Sequence, residues 1–191
     1  MPLCPPHMSI TDPSRLEVAA TLLGSRLYRI FIYKPFVERI GLRGSERVLD
    51  FGAGWGDVAF YAAPKLAQGG SMTLLDISTT WQQVAKKRLR RFSNLSFVNA
   101  DVFSAGVEDG SYDVIVVHFM LHDIPPPQRR AIITELAKKL RHNGFVYISE
   151  PTVKSHGIPS DEILDLMQTA GLHMESKRVS RRFFEGKFTR P

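Results

Sequence analysis

The chain has 191 residues, 43% of them hydrophobic, a single cysteine and a formal net charge of +6. That length buries one α/β core with an N-terminal extension and is short for two ordinary domains. No run approaches the roughly 18 apolar residues of a bilayer span, and the opening residues show neither part of a signal peptide, so the chain reads as cytoplasmic. Cys4 has no internal disulfide partner, and its Pro-rich surroundings make it a poor nucleophile or ligand. The positive charge is compatible with nucleic acid, but Lys86, Lys87, Arg88, Arg90 and Arg91, like Lys138, Lys139 and Arg141, fall mostly on polar sides of predicted helices, as solvated faces do.

In chain order, Asp12-Pro13-Ser14 reads as a helix start, with Asp12 as N-cap and Pro13 at the first helical position. Leu16, Ala19, Ala20, Leu23, Leu27, Ile30 and Phe31 then recur at helical spacing. This predicts an amphipathic helix, interrupted near Pro35, resumed over 36–40 and ended by Gly41 and Gly44. Residues 1–44 thus form an N-terminal helical extension or lid, and 45–191 the main domain. From Arg47 onward short apolar runs alternate with helical stretches, the signature of βαβ units in a mostly parallel sheet. Strands are predicted at 47–52, 71–76, 95–99, 112–118 and 144–150, with helices at 56–67, 79–91 and 126–141, the last ending at Asn143-Gly144. A further helix over 160–170 and an antiparallel hairpin, 172–179 with 183–189, complete the α/β pattern.

The segment Val48-Leu-Asp-Phe-Gly-Ala-Gly-Trp-Gly-Asp57 carries the first chemical signal. Gly52, Gly54 and Gly56 space a tight turn into a helix, where glycine lets the backbone approach a ligand with no Cβ in the way. A pyrophosphate-binding turn has G-x-G-x-x-G spacing. Here the spacing is G-x-G-x-G, and Asp50 and Asp57 would set two carboxylates against a pyrophosphate. A cationic ligand suits the turn better. Asp76 ends the second strand about twenty residues on, where a carboxylate in this topology accepts ribose hydroxyls. Asp101, just past the third strand, stands where an acid accepts an adenine amino group, and Ile77 and Val102 offer apolar faces to the ring. S-adenosylmethionine, with its ammonium, sulfonium and adenosine, matches this set.

With these residues in place, 45–152 resembles a class I S-adenosylmethionine-dependent methyltransferase, similar to the small-molecule group that includes the ubiquinone and menaquinone biosynthesis methyltransferases. The resemblance extends through Tyr112–Pro125 and Leu140–Glu150. It implies a Rossmann-like three-layer αβα sandwich whose seven-stranded, mostly parallel sheet has the order 3-2-1-4-5-7-6, with strand seven antiparallel. It also implies that Asp50 and the backbone of Gly52, Ala53 and Gly54 hold the methionine moiety, Asp76 the ribose, and Asp101 with Val102 and Ile77 the adenine, while His118 lines the methyl-transfer face. The product would be S-adenosylhomocysteine, and no metal is implied. Quinone-type members carry a long helical insertion between strand five and the last helix. Only Pro151–Pro159 fills that place here, so the acceptor is expected to be roofed mainly by the N-terminal helix, or left open to a bulky substrate.

Methyl transfer is an in-line displacement, which asks chiefly for alignment and desolvation. A base helps when the acceptor is a hydroxyl or protonated amine, and His122, beside the end of strand four, is the expected base; the other reading is a histidine that fixes the loop before Pro125-Pro-Pro127. His118-x-x-x-His122-Asp123 has zinc-like spacing only on a helix, and strand-to-loop geometry is expected to point these side chains apart. Glu150 either lines the acceptor pocket or caps its loop, and Tyr28 and Tyr33 either close over the cofactor or pack. The chain lacks the Asn/Asp-Pro-Pro-Tyr/Phe motif of base-amino methylation, a cysteine placed for cytosine C5 chemistry and the several thiols of arsenite methylation. A small-molecule acceptor is therefore expected. RNA or protein methylation through the basic surface and a non-catalytic cofactor-binding module are the alternatives, and a nicotinamide-dependent oxidoreductase comes last.

Overall fold

The computed structural model describes residues 12–14, 16, 18 and 29–191. Leu16 and Val18 are helical, and the Val18 N–H donates to the Ser14 carbonyl at 3.0 Å, as a helix starting near Asp12 requires. Ala19, Ala20, Leu23, Leu27 and Tyr28, like Cys4, lie outside the described residues. A π-helical turn, Arg29–Tyr33, runs directly into helix α1, Lys34–Ile40. Pro35 therefore does not interrupt the helix. It lacks an N–H and crowds the carbonyl one turn back, and the widened turn before it absorbs both effects. That wider turn leaves Ile30 and Phe31, expected on a buried face, 55% and 73% exposed, while Phe36, Val37 and Ile40 are buried.

The strands are β1 (Arg47–Phe51), β2 (Ser71–Asp76), β3 (Leu95–Asn99), β4 (Tyr112–His118), β5 (Leu140–Pro151), β6 (His173–Val179) and β7 (Phe183–Thr189). Between them lie α2 (Asp57–Ala62), α3 (Thr79–Leu89), α4 (Pro126–Lys139) and α5 (Ser160–Thr169). The sheet order is β3-β2-β1-β4-β5-β7-β6, with the first five strands parallel and β7 antiparallel to both neighbours, as expected. Alternate residues of the central strands feed two cores. Leu49, Ile115 and Val117 meet Ile133 and Leu136 of α4 and Ile163 and Met167 of α5. Val48, Val114 and Val116 meet α1, α2 and α3 on the other face. This double burial explains why these strands read as unbroken apolar runs.

Two boundaries differ from expectation, each for a local reason. Helix α2 tightens into a 3-10 turn at Ala63–Lys65, where Pro64 has no N–H to continue the α pattern. Helix α4 stops at Lys139, because Leu140 already pairs with Tyr112. Asn143-Gly144 is thus not a helix cap but an irregularity within β5. A Cβ on Gly144 would stand 3.0 Å from the carbonyl oxygens of Arg141 and Asp113. Among the described residues no helix is long and apolar enough to cross a membrane.

Helix α1 is tied to the antiparallel edge by one polar cluster. Arg39 gives a bidentate pair to Glu185 of β7, at 2.6 and 2.7 Å, and the Tyr147 hydroxyl donates to the same carboxylate at 2.5 Å. Burial, then the bond to Glu185, pushes the Tyr147 hydroxyl well above its ordinary range. Removing the cation leaves a buried carboxylate uncompensated. Because the Arg39 side chain is 34% exposed, Arg39→Met is expected to cost a partly screened ~1–3 kcal/mol, and Glu185→Gln less, in urea unfolding. An unchanged midpoint for Arg39→Met would show that the cluster does not hold α1.

Candidate active site

After β1 the backbone turns through positive φ at Gly52, Gly54 and Gly56, at 71°, 50° and 79°. A Cβ on Gly52 would stand 2.3 Å from Cγ of Met120, and one on Gly56 2.5 Å from Cδ1 of Leu89. A side chain at Gly52 or Gly56 would therefore have to displace Met120 or Leu89, and the positive φ adds a conformational cost at all three glycines. Its N–H groups are engaged. Those of Gly52 and Ala53 donate to the Leu75 carbonyl at 2.9 and 3.2 Å, and that of Gly54 to Oδ2 of Asp76 at 2.7 Å.

Asp50, at the end of β1, is buried, and its Oδ2 has no hydrogen-bond partner. Burial, then repulsion from Asp76, pushes its carboxyl up to about 8. Asp76 is also raised, chiefly by burial, although the N–H groups of Ser78 and Gly54 pull the other way. Asp101 is exposed. Its oxygens accept the Ser104 hydroxyl at 2.6 Å and the N–H groups of Phe103 and Ser104 at 2.8 and 3.0 Å, which hold it below the usual range. Asp12 accepts the Ser78 hydroxyl at 2.5 Å and the Thr80 N–H at 3.2 Å, so the N-terminal segment touches the start of α3 beside Asp76. The expectation for Asp57 changes. Arg88 pairs with it at 2.6 Å and the Trp55 indole N–H donates to it, so of the two carboxylates flanking the turn only Asp50 stands uncompensated. Arg88 is 31 residues away, with no spacing to announce the contact.

Beside a third cleft lined by Phe36, Arg39, His118, Phe119 and Phe183, two clefts open around the glycine turn. The larger, of about 380 Å³, is lined by Asp76, Ile77, Asp101 and Val102, with Phe103, Met120 and Ile124 adding apolar walls. The other is lined by Tyr33, Asp50, Gly54, His118, Phe119, His122 and His156. Gly52 and Asp123 line both, so the clefts meet there. Every expected cofactor residue thus reaches one of two adjoining spaces.

His118 sits in an aromatic box, 4.8 Å from Tyr33, 4.2 Å from Phe36 and 4.0 Å from Phe119 by ring centroids. Neither ring nitrogen has a hydrogen-bond partner, and burial, then the charge of Arg39, pushes the imidazole down to about 3. It is a neutral wall. His122 differs. Its Nδ1 lies 2.6 Å from Oε2 of Glu150, and although burial opposes the charged form, that bond and the charges of Glu150 and Asp123 outweigh it and raise the pKa. Glu150, fully buried, also accepts the N–H groups of Met120 and Leu121 at 2.9 and 2.7 Å. Of its two expected roles it therefore takes the second, fixing the 3-10 turn Leu121–Asp123. Sequence reasoning missed His156, which reaches the cleft from the loop after β5, and Phe119. The latter adopts φ 55° and stacks on Phe183 at 5.5 Å; a bulky residue there is uncommon and strained.

Residues 48–144 match the family model of the methyltransferase domain. The chain belongs to the methyltransferase domain family. This methyltransferase domain is similar to the ubiquinone/menaquinone biosynthesis C-methyltransferase UbiE of Coxiella burnetii (strain RSA 331 / Henzerling II), 29% identical over 154 residues. The match covers 77% of this chain but only 60% of that protein. The S-adenosylmethionine-dependent methyltransferase of Aquifex aeolicus shares the fold with a TM-score of 0.71 at 19% identity, over 86% of this chain and 92% of that one. So does the 1,6-didemethyltoxoflavin-N1-methyltransferase of Burkholderia thailandensis, crystallised with 1,6-didemethyltoxoflavin and S-adenosylhomocysteine. Its TM-score is 0.67 at 19% identity, covering 94% and 92% of the two chains. The methyltransferase family, the Rossmann-like fold and S-adenosylmethionine as the family's donor agree with the sequence expectation.

Asp50 makes the methyltransferase domain's stability depend on pH in a definite direction. Folded, its carboxyl stays protonated up to about pH 8; unfolded, it ionises near pH 4. Between those values the unfolded chain binds fewer protons, so this group removes stability as pH rises. Asp50→Asn keeps the shape and abolishes the titration. Its melting temperature is expected to exceed the parent's by a margin that widens from about pH 5 to about pH 8. A constant margin in differential scanning calorimetry would show that the carboxyl is already ionised in the fold.

Proposed function

We propose that this chain transfers the methyl group of S-adenosylmethionine to a small-molecule acceptor held between Tyr33, Phe119, His122 and His156. The observation that carries this reading is the buried Asp50, which has an oxygen without a hydrogen-bond partner and lines the cleft that adjoins the larger apolar one. A carboxyl that is neutral when the site is empty and ionises against an ammonium suits a cationic ligand. Asp76 accepts one N–H on each oxygen, which leaves lone pairs for two ribose hydroxyls. Asp101 and Val102, with Ile77, hold the adenine, and the glycine turn of Gly52, Ala53 and Gly54 lets the methionine moiety lie against bare backbone. Because the turn's N–H groups already serve β2 and Asp76, they shape this wall rather than bind the ligand's carboxylate.

S-adenosylmethionine supplies an electrophilic methyl whose bond to sulfur breaks as the bond to the acceptor forms. The chain's own work is alignment, exclusion of water and reception of a proton. His118, neutral and aromatic-boxed, keeps charge off the methyl path. Glu150 holds Nδ1 of His122, which leaves Nε2 to take the acceptor's proton, as in other carboxylate-oriented imidazoles. The described part of the N-terminal extension reaches the cleft through Tyr33, which serves as its roof. A compact acceptor is favoured because the short loop after β5 brings His156 over the cleft; the named pathway of the Coxiella relative makes a quinone precursor one member of the test panel. Nucleic acid is less favoured, since Arg88, Arg129, Arg130, Lys139, Arg141 and Lys187 are all paired with acids within the chain.

Calorimetric titration of the purified chain is expected to show saturable heat with S-adenosylmethionine and with S-adenosylhomocysteine, and loss of both in Asp76→Ala checked for fold by circular dichroism. No heat with either ligand sinks the proposal. With an acceptor from a panel of phenols, amines and enols, His122→Ala is expected to lower kcat by about 10²–10⁴-fold at unchanged donor affinity; an unaltered kcat removes the proton-accepting role.

A further inference from the structure

The turn after β4 carries a constellation that cofactor binding does not use. His122 and Asp123, on the 3-10 turn, and His156, on the loop between β5 and α5, each place a donor atom within 4.8 Å of the other two. Nε2 of His122 stands 3.6 Å from Oδ1 of Asp123, and the rings of His122 and His156 meet edge to face with centroids 4.5 Å apart. The expectation that the strand-to-loop geometry scatters these ligands holds for His118, which is not in the cluster, and fails for His122 and Asp123.

Both histidines are held by their surroundings. The fully buried Glu150 fixes Nδ1 of His122 at 2.6 Å, so the other nitrogen points away from it toward the cleft. A carboxylate on the far nitrogen is the arrangement that orients histidine ligands. The His156 loop is folded back on the end of β5: the His156 N–H donates to Val153 at 3.1 Å and the Ile158 N–H to Pro151 at 2.9 Å. A Cβ on Gly157 would stand 2.6 Å from the Pro151 oxygen, so the loop closes as tightly as it does only with glycine there.

We infer that His122, Asp123 and His156 form a binding site for a divalent first-row transition cation, of the zinc or cobalt class, opening on the acceptor cleft. Two imidazoles and one carboxylate suit such cations better than magnesium or calcium, which prefer all-oxygen sets. Ligands about 2.0–2.2 Å from one ion lie about 3–3.5 Å apart. The His122–Asp123 pair is already near that value, and the widest pair closes by about an ångström. All three residues line the acceptor cleft, and Asp123 also lines the adenosine cleft, so the open positions of the ion face the place where the two meet. An acceptor hydroxyl on the ion would lose its proton more readily. The ion and the imidazole base compete for the same Nε2 and are alternative routes to one nucleophile. Binding of the cation does not depend on the methyl-transfer reading; only its role does.

The test uses the full chain without a polyhistidine tag, stripped with chelator, titrated with Zn²⁺ by calorimetry and with Co²⁺ by visible absorption. Expected are one ion per chain, cobalt bands of a nitrogen- and oxygen-ligated site, and an affinity loss of at least about tenfold in His156→Ala and in Asp123→Asn. His142→Ala, an exposed histidine outside the cluster, should bind like the parent. Absence of saturable binding, or equal affinity in all three variants, overturns the site. S-adenosylmethionine titrated into the same stripped protein separates the two proposals: heat with the donor but none with zinc removes the cation site alone, and the converse removes the donor reading alone.

Discussion

Parallel pairing of β1 with β2 and β4 is the constraint on which the rest of this protein depends. Parallel neighbours end at the same edge, so Asp50, Asp76 and His118 arrive side by side although 68 residues separate the first from the last. The crossover helices that parallel strands require bury both faces of the sheet, and the central strands become apolar throughout. A carboxyl at the end of β1 therefore has protein on all sides but one. Its raised pKa follows from topology before any ligand is considered.

The same edge carries three different solutions to buried polarity. Asp76 is satisfied by backbone N–H groups from the turn beneath it and from Ser78. Glu150 spends its charge on the N–H groups of the β4–α4 turn and on His122, and so converts an irregular loop into a fixed platform. Asp50 and His118 are left unsatisfied, at a cost in stability that is recovered only if a ligand completes them. Both of these groups line the cleft beside the glycine turn.

The short connection between β5 and α5 changes what stands over that place. A long insertion there would carry its own helices; eight residues, 152–159, closed by the Ile158 N–H on the Pro151 carbonyl, instead deliver a single imidazole. Together with the strained Phe119 and with Tyr33 and His118 it gives this cleft an aromatic wall. The Arg39–Glu185–Tyr147 cluster anchors α1 beside this space, so α1 and the antiparallel edge are mechanically joined.

The sequence by itself determined the elements and their order, because short apolar runs alternate along the chain with stretches of helical spacing. It also singled out Asp50, Gly52, Gly54, Asp76 and Asp101, which the fold gathers at one edge of the sheet because each lies at or just past the end of a parallel strand. Tertiary structure alone decided the rest, because the deciding contacts join residues with no sequence relation. Arg88 cancels Asp57 across 31 residues, Glu150 reorients His122 across 28, and His156 completes a three-ligand cluster from a loop that carries no motif. Side-chain charge and lone-pair direction are properties of neighbours, and neighbours are set by the fold.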